Sequence, residues 1–146
     1  MSAILVVDDD PTVRMIAAEL LTRAGHQVFE AEDGDEALKQ VAAVAFDLVV
    51  LDMLMPNKDG LETIVELRRS RPRMRILAIS SGGRMEAGQL LRMALVFGAD
   101  ETMAKPLRAE PFTETVSRLL SQARTDPARE GVATRLTAAA SGGSAD

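Results

Sequence analysis

The chain contains no cysteine, tryptophan or tyrosine, and its only histidine is His26. Absent thiols exclude a disulfide framework, a thiolate nucleophile and a Cys-ligated zinc site. Aromatics make up 3% of the residues and hydrophobics 47%, so the core of a folded globule has to be aliphatic. No apolar run approaches the roughly 20 residues of a membrane-spanning helix. The start, Met1-Ser2-Ala3-Ile4-Leu5-Val6-Val7-Asp8, lacks the basic region and the longer apolar stretch of a signal peptide. The expectation is a soluble cytoplasmic protein with no membrane partner. Positive charge is also scarce: a net charge of −5 argues against nucleic acid as a partner. Arg68, Arg69, Arg71, Arg73 and Arg75 are the local exception. They read as a solvated helix end whose cations suit the negative pole of the helix dipole, because no aromatic interleaves them as in single-strand binders.

At 146 residues the chain is long enough for a real core within one domain of ordinary size. Ala3–Val7 is a short apolar run ending in Asp8-Asp9-Asp10. Pro11 suits a first helical residue with Asp10 as N-cap. Val13, Ile16, Ala17, Leu20 and Leu21 then recur at helical spacing, and Gly25 supplies the stop. Gln27–Ala31 is a second strand. Asp33 and Glu36 form a capping pair for a helix reaching Ala43, with Ala37, Leu38 and Val41 inward. Leu48-Val49-Val50-Leu51 reads as a strand buried on both faces, ending on Asp52 and turning through Pro56 and Asn57-Lys58-Asp59-Gly60. Asp59 and Glu62 repeat the capping spacing, and Leu61, Ile64, Val65 and Leu67 stripe a third helix. Residues 75–79 form a fourth strand, followed by Ser80-Ser81-Gly82-Gly83. A fourth helix ends at Phe97 before Gly98. Residues 101–104 form a fifth strand stopped by Lys105-Pro106, and Phe112, Val116, Leu119, Leu120 and Ala123 mark a fifth helix. Five alternating strands and helices predict an α/β protein with a doubly wound parallel sheet; the flavodoxin-like order 2-1-3-4-5 covers both faces with helices and is in part what the family resemblance described below implies.

A parallel sheet places all strand C-termini on one edge. Strand one delivers Asp8 and Asp9 there, strand three Asp52, strand four Ser80 and strand five Lys105. Three crowded carboxylates repel, and one takes up a proton unless a cation joins them. A hard divalent ion resolves the conflict, and Mg2+ suits a site that also holds phosphate oxygens. Asp8 and Asp9 would hold it, with Asp52 and the backbone carbonyl of Leu54 completing the shell. The metal and Lys105 would neutralise a phosphoryl group moving to the Asp52 carboxylate. Turn and cap chemistry accounts for Asp10, but it gives no reason for Lys105, one of three lysines.

Ile4-Leu5-Val6-Val7-Asp8-Asp9, Leu51-Asp52-Met53-Leu54-Met55-Pro56-Asn57-Lys58-Asp59-Gly60, Ile79-Ser80 and Lys105-Pro106 together resemble the CheY-like receiver domain of two-component response regulators. The resemblance spans roughly residues 3–123. It implies a phosphorelay protein phosphorylated as an aspartyl-phosphate on Asp52 by a histidine kinase or histidine phosphotransfer protein. It matches Asp8 and Asp9 to the family's metal pair, Ser80 to its switch hydroxyl and Lys105 to its lysine. It also implies a cis Lys105–Pro106 bond. Phosphorylation would draw Ser80 inward with the 81–83 loop and repack the face of the fourth helix, fifth strand and fifth helix. Three departures stand out. Thr102 occupies the place of the family's usual strand-five aromatic, and Leu107 that of a common phenylalanine. Leu54 and Gly82 occupy positions that tune hydrolysis, and neither can orient a water, so self-dephosphorylation is expected to be slow.

The fourth helix is apolar nearly all round, through Leu90, Leu91, Met93, Ala94, Leu95, Val96 and Phe97. Either the fifth helix and the tail cover it, or it is a surface for a partner or for dimerisation, with Leu91 as the residue to test. Ser80-Ser81-Gly82-Gly83 matches neither nucleotide-loop pattern. His26 reads as surface and most methionines as core filling. The domain is expected over residues 1–123, with 124–146 a disordered or partly helical tail, a helix over 133–140 being one option, and too short for an output domain. The leading reading is a single-domain phospho-receiver, not an enzyme, that signals by contact with another protein. Its competitors are a Mg2+-dependent phosphatase with an aspartate nucleophile and a phosphorylation-independent interaction module. Such phosphatases usually carry a second Asp two residues after the nucleophile, where Leu54 stands.

Overall fold

Strands and helices alternate from Ala3 to Ser121 in the computed structural model, which describes residues 2–55, 59–81 and 85–122. The strands are β1 (Ala3–Val7), β2 (Gln27–Ala31), β3 (Leu48–Asp52), β4 (Arg75–Ser81) and β5 (Glu101–Lys105). The helices are α1 (Pro11–Arg23), α2 (Gly34–Ala43), α3 (Gly60–Ser70), α4 (Met85–Phe97) and α5 (Ala109–Ser121). The sheet runs β2-β1-β3-β4-β5 with every pair parallel. Alternation of side chains along each strand divides the core in two. Leu5, Val7, Val49, Leu51, Ile76 and Ala78 meet α2, α3 and α4, whereas Ile4, Val6, Leu48, Val50, Leu77 and Ile79 meet α1 and α5. Every residue of β3 is buried, as its unbroken apolar run requires.

Three helices begin on an aspartate whose side chain accepts a backbone N–H. Asp10 takes that of Thr12 at 2.9 Å, Asp33 that of Glu36 at 2.9 Å and Asp59 that of Glu62 at 2.8 Å. Glu36 reaches back to the N–H of Glu32 instead of closing a reciprocal box on Asp33. Gly60 opens α3 against the end of β3, where a Cβ would lie 2.6 Å from the Met53 Cα. Gly98 ends α4 at φ +130° with its carbonyl turned to Arg68.

Several expectations need correction. β4 runs on through Ser80 and Ser81, because pairing with β5 continues to Ser81 opposite Lys105. Ile16 is 40% exposed, since α1 is rotated to press Ala17 and Leu21 on the sheet and the neighbouring residue points about 100° away. Leu91 packs with Leu90 against the core, and Ala94 is buried beside them. The exposed apolar side chains of α4 are Met93, Leu95, Val96 and Phe97. Most methionines with described side chains do fill the core: Met53 and Met74 are buried and Met55 and Met103 pack against it, while Met15 and Met93 are exposed. His26 is half-buried, and burial lowers its pKa.

The arginine cluster is only in part a solvated helix end: Arg69, in the last turn of α3, and Arg73 are exposed, whereas Arg68, Arg71 and Arg75 are not. Arg68 donates to the carbonyls of Gly98, Met74 and Pro72 and pairs with Asp100 at 3.1 Å. Arg71 donates to the Val41 carbonyl at 2.9 Å, and buried Arg75 to that of Leu119 at 2.8 Å. These guanidiniums tie loops together by satisfying carbonyls at element ends. The turn at Pro56-Asn57-Lys58, Gly82 and Gly83 of the serine loop, Ala123 and the 124–146 tail lie outside the described residues.

Candidate functional site

β1 and β3 are central strands with uninterrupted apolar sequences, so their C-terminal residues are delivered to one sheet edge in fixed register. Val7 pairs with Leu51, which leaves Asp8 and Asp52 side by side, each at most 2% exposed. Lys105 closes β5 on the same edge. Its ammonium lies 2.8 Å from Asp8 Oδ2 and 3.4 Å from Asp52 Oδ1. The Leu54 N–H donates to Asp52 Oδ1 at 3.3 Å, and the Asp10 N–H donates to Asp8 Oδ1 at 2.9 Å. Carboxylate oxygens of Asp8, Asp9 and Asp52 all lie within 4.8 Å of one another. Asp9 is exposed and makes no hydrogen bond or ion pair among the described residues.

One ammonium cannot balance three carboxylates, and the cluster retains about two negative charges when all are ionised (three minus one). Burial, followed by the charge of Asp8, pushes the Asp52 carboxyl from 3.8 up to about 7, against the pull of Lys105 and the Leu54 N–H. Burial opposes the charge on Lys105, but its bonds to Asp8 and attraction to Asp52 prevail and raise its pKa. The ammonium therefore stays charged while Asp52 remains under-compensated. A residual double negative charge on hard oxygen donors, with one carboxylate lacking a partner among the described residues, suits a divalent cation.

Ser80 is fully buried, and its hydroxyl has no hydrogen-bond partner among the described residues. It follows Ile79, which pairs with Asp52. By strand alternation Ser80 is in step with Ile76 and Ala78 on the α2, α3 and α4 side, whereas Asp52 is in step with Leu48 and Val50 on the α1 and α5 side. Thr102 pairs with Ala78 and is half-buried on β5, against which α4 packs. Leu54 is 57% exposed at the rim. The Lys105–Pro106 peptide is cis.

The sequence reading missed Arg14. Its Nη1 donates to the carbonyl of Asp8 at 2.7 Å, and its Nε donates to Glu30 Oε1 at 3.2 Å. The only signal was a long cation one turn after a capped helix start, which ordinarily reads as solvent-facing.

Comparison with known proteins follows the same outline. The family model for the response regulator receiver domain matches residues 4–117. The alkaline phosphatase synthesis transcriptional regulatory protein PhoP of Bacillus subtilis is 35% identical over 117 residues, covering 80% of this chain and 48% of PhoP. Response regulator MprA of Mycobacterium leprae is 37% identical over 131 residues, covering 89% of this chain and 56% of MprA. The chain thus spans about half the length of these curated relatives. The receiver domain of NtrX from Brucella abortus superposes with a TM-score of 0.76 at 31% identity, covering 82% of this chain and 99% of that one. Response regulator TrrA of Thermotoga maritima, solved in complex with Mg2+ and BeF, gives a TM-score of 0.70 at 33% identity, with coverage of 82% and 99%. Among the described residues no helix is long and apolar enough to cross a membrane. With a family match over most of its length and the 2-1-3-4-5 sheet beneath it, the chain belongs to the receiver-domain family of response regulators.

Proposed function

We propose that the chain accepts a phosphoryl group on Asp52 from a histidine kinase or histidine phosphotransfer protein. The observation that carries this is the shared ammonium: Lys105 bridges Asp8 and the buried Asp52, leaving a nucleophilic carboxylate beside a fixed cation. In the transfer, an Asp52 carboxylate oxygen forms the new O–P bond as the N–P bond of the donor phosphohistidine breaks, and the imidazole takes up a proton. Lys105 holds positive charge where the phosphoryl oxygens arrive. The Leu54 N–H fixes one Asp52 oxygen, leaving the other for attack. Asp8, Asp9, Asp52 and the Leu54 carbonyl would hold Mg2+, which supplies neutralisation of phosphoryl charge. The Mg2+ and BeF bound by TrrA support that assignment by likeness. Ser80, whose hydroxyl has no partner among the described residues, takes the switch role, and the signal leaves through α4, β5 and α5 to another protein. Residues 1–123 are taken as the receiver unit, supported by a sheet and five helices complete by Ser121.

Incubating the full chain with acetyl phosphate and Mg2+ and weighing it intact tests the reading. A covalent phospho-adduct that disappears in Asp52→Ala is expected. Continuous turnover of varied phosphoesters would instead mark a phosphatase, and no adduct at all would leave only a docking module.

A further inference from the structure

Asp8 and Asp9 are held in different ways. The Asp8 carboxylate is buried and gripped by the Asp10 N–H and by Lys105. The Asp9 carboxylate is exposed and touches no protein partner among the described residues, yet it lies within 4.8 Å of the other two. Its place is therefore set by the backbone. The Asp8 carbonyl and the Asp9 N–H belong to one rigid peptide plane. Fixing that carbonyl fixes the direction in which Asp9 leaves the strand end.

Arg14 does this. Its Nη1 donates to the Asp8 carbonyl at 2.7 Å, while the Asp8 N–H donates to the Ala31 carbonyl at 3.1 Å, so the residue is held from both sides. Glu30, at the end of β2, accepts from Arg14 Nε at 3.2 Å, and the arginine side chain is only 14% exposed. The carboxylate anchors the guanidinium and offsets its charge, so the brace adds little net repulsion for an arriving cation. One side chain thus joins α1 to the ends of β1 and β2 at the peptide that carries both acids.

We infer that Arg14 is a positioning residue for divalent-cation capture, orienting the Asp8–Asp9 peptide so that both carboxylates face one ion, with Glu30 as its anchor. The inference rests on the metal reading above. Isothermal titration of Mg2+ into the full chain is the test, since a chain without tryptophan or tyrosine offers no useful intrinsic fluorescence. Arg14→Gln should weaken Mg2+ binding about tenfold, in the range of partners that orient metal ligands. Arg14→Lys, which keeps one donor for the Asp8 carbonyl, should lose less, and Glu30→Gln should cost roughly two- to threefold. At saturating Mg2+ the Arg14→Gln chain should regain the wild-type rate of uptake from acetyl phosphate, because a brace acts on the metal alone. Unchanged Mg2+ affinity, or a defect that persists at saturation, overturns the inference. If Arg14→Gln does not fold by circular dichroism, unchanged affinity in Glu30→Gln overturns it instead. A wild-type chain that takes up no Mg2+ removes the metal reading and this inference with it.

Discussion

Replacing Asp52 with asparagine should stabilise the metal-free protein, and by an amount that grows with pH. The Asp52 carboxyl sits at about 7 in the folded chain against 3.8 for the ordinary group. A folded pKa above the unfolded one means that the native state binds the extra proton between those values. Stability then falls as pH rises through that window and levels off above it. Three units at about 1.4 kcal/mol each set an upper bound of roughly 4 kcal/mol for the penalty at about pH 8. Near pH 5 the native carboxyl is still protonated, and the advantage of the variant should be smaller by about 2–3 kcal/mol. Asparagine keeps the shape and an acceptor oxygen for Lys105 and the Leu54 N–H, so the comparison isolates charge. Urea unfolding followed by far-ultraviolet circular dichroism, in chelator, measures both proteins across pH. Adding Mg2+ should then stabilise wild type and leave the variant nearly unmoved. A variant less stable than wild type at about pH 8, or an advantage that shrinks with rising pH, would refute the reasoning that Asp52 is an under-compensated buried charge.

Leu54→Asn places a water-orienting amide at the rim and should shorten the lifetime of the phospho-protein by about tenfold, read from adduct decay in Mg2+; equal lifetimes would count against slow hydrolysis arising there. Arg68→Ala removes the bonds to Gly98 and Met74 and the ion pair with Asp100, and should cost about 3 kcal/mol in urea melts. A loss below about 1 kcal/mol would place it with ordinary surface pairs. On α4, Leu91→Glu should unfold the helix face it packs on, whereas Val96→Glu, at an 82% exposed position, should leave stability within about 0.5 kcal/mol. The second variant is the one to assay for dimerisation and partner binding.

The fold was legible because its signals were local and mutually consistent. An apolar strand that ends on Asp52, aspartates at helix starts and glycines at helix ends each specify a boundary without reference to the rest of the chain. Gathering Asp8, Asp52 and Lys105 needed only the rule that parallel strands end on one edge. What stayed hidden depends on distance in space. Arg68 and Arg75 look like a charged run until the carbonyls of Gly98 and Leu119, thirty and more residues away, are folded onto them. Arg14, on α1, looks solvent-facing until Glu30 of β2 and the Asp8 carbonyl just past β1 are folded against it. Leu91 could not be told from Val96 because a helix apolar on both sides carries no periodic mark of which side meets the sheet.

The same alternation that hides and reveals residues also sets how a signal could cross the sheet. Asp52 and Ser80 stand on adjacent strands but in step with opposite core halves, one under α1 and α5, the other under α2, α3 and α4. The Ser80 hydroxyl has no partner among the described residues; a buried hydroxyl left unpaired costs about 1–3 kcal/mol, and a phosphoryl oxygen on Asp52 is an acceptor that would relieve it. That relief exists only in the phosphorylated state, which is the differential interaction a two-state change requires. It is enough to shift an equilibrium by about five- to 150-fold. In the proposed mechanism, as Ser80 leaves its side of the sheet, what it vacates is space beneath α4, beside the half-buried Thr102. A small β-branched side chain cannot fill that space by rotating inward as a ring would. The adjustment therefore falls on α4 itself, whose far end is pinned by the bond between Arg68 and the Gly98 carbonyl.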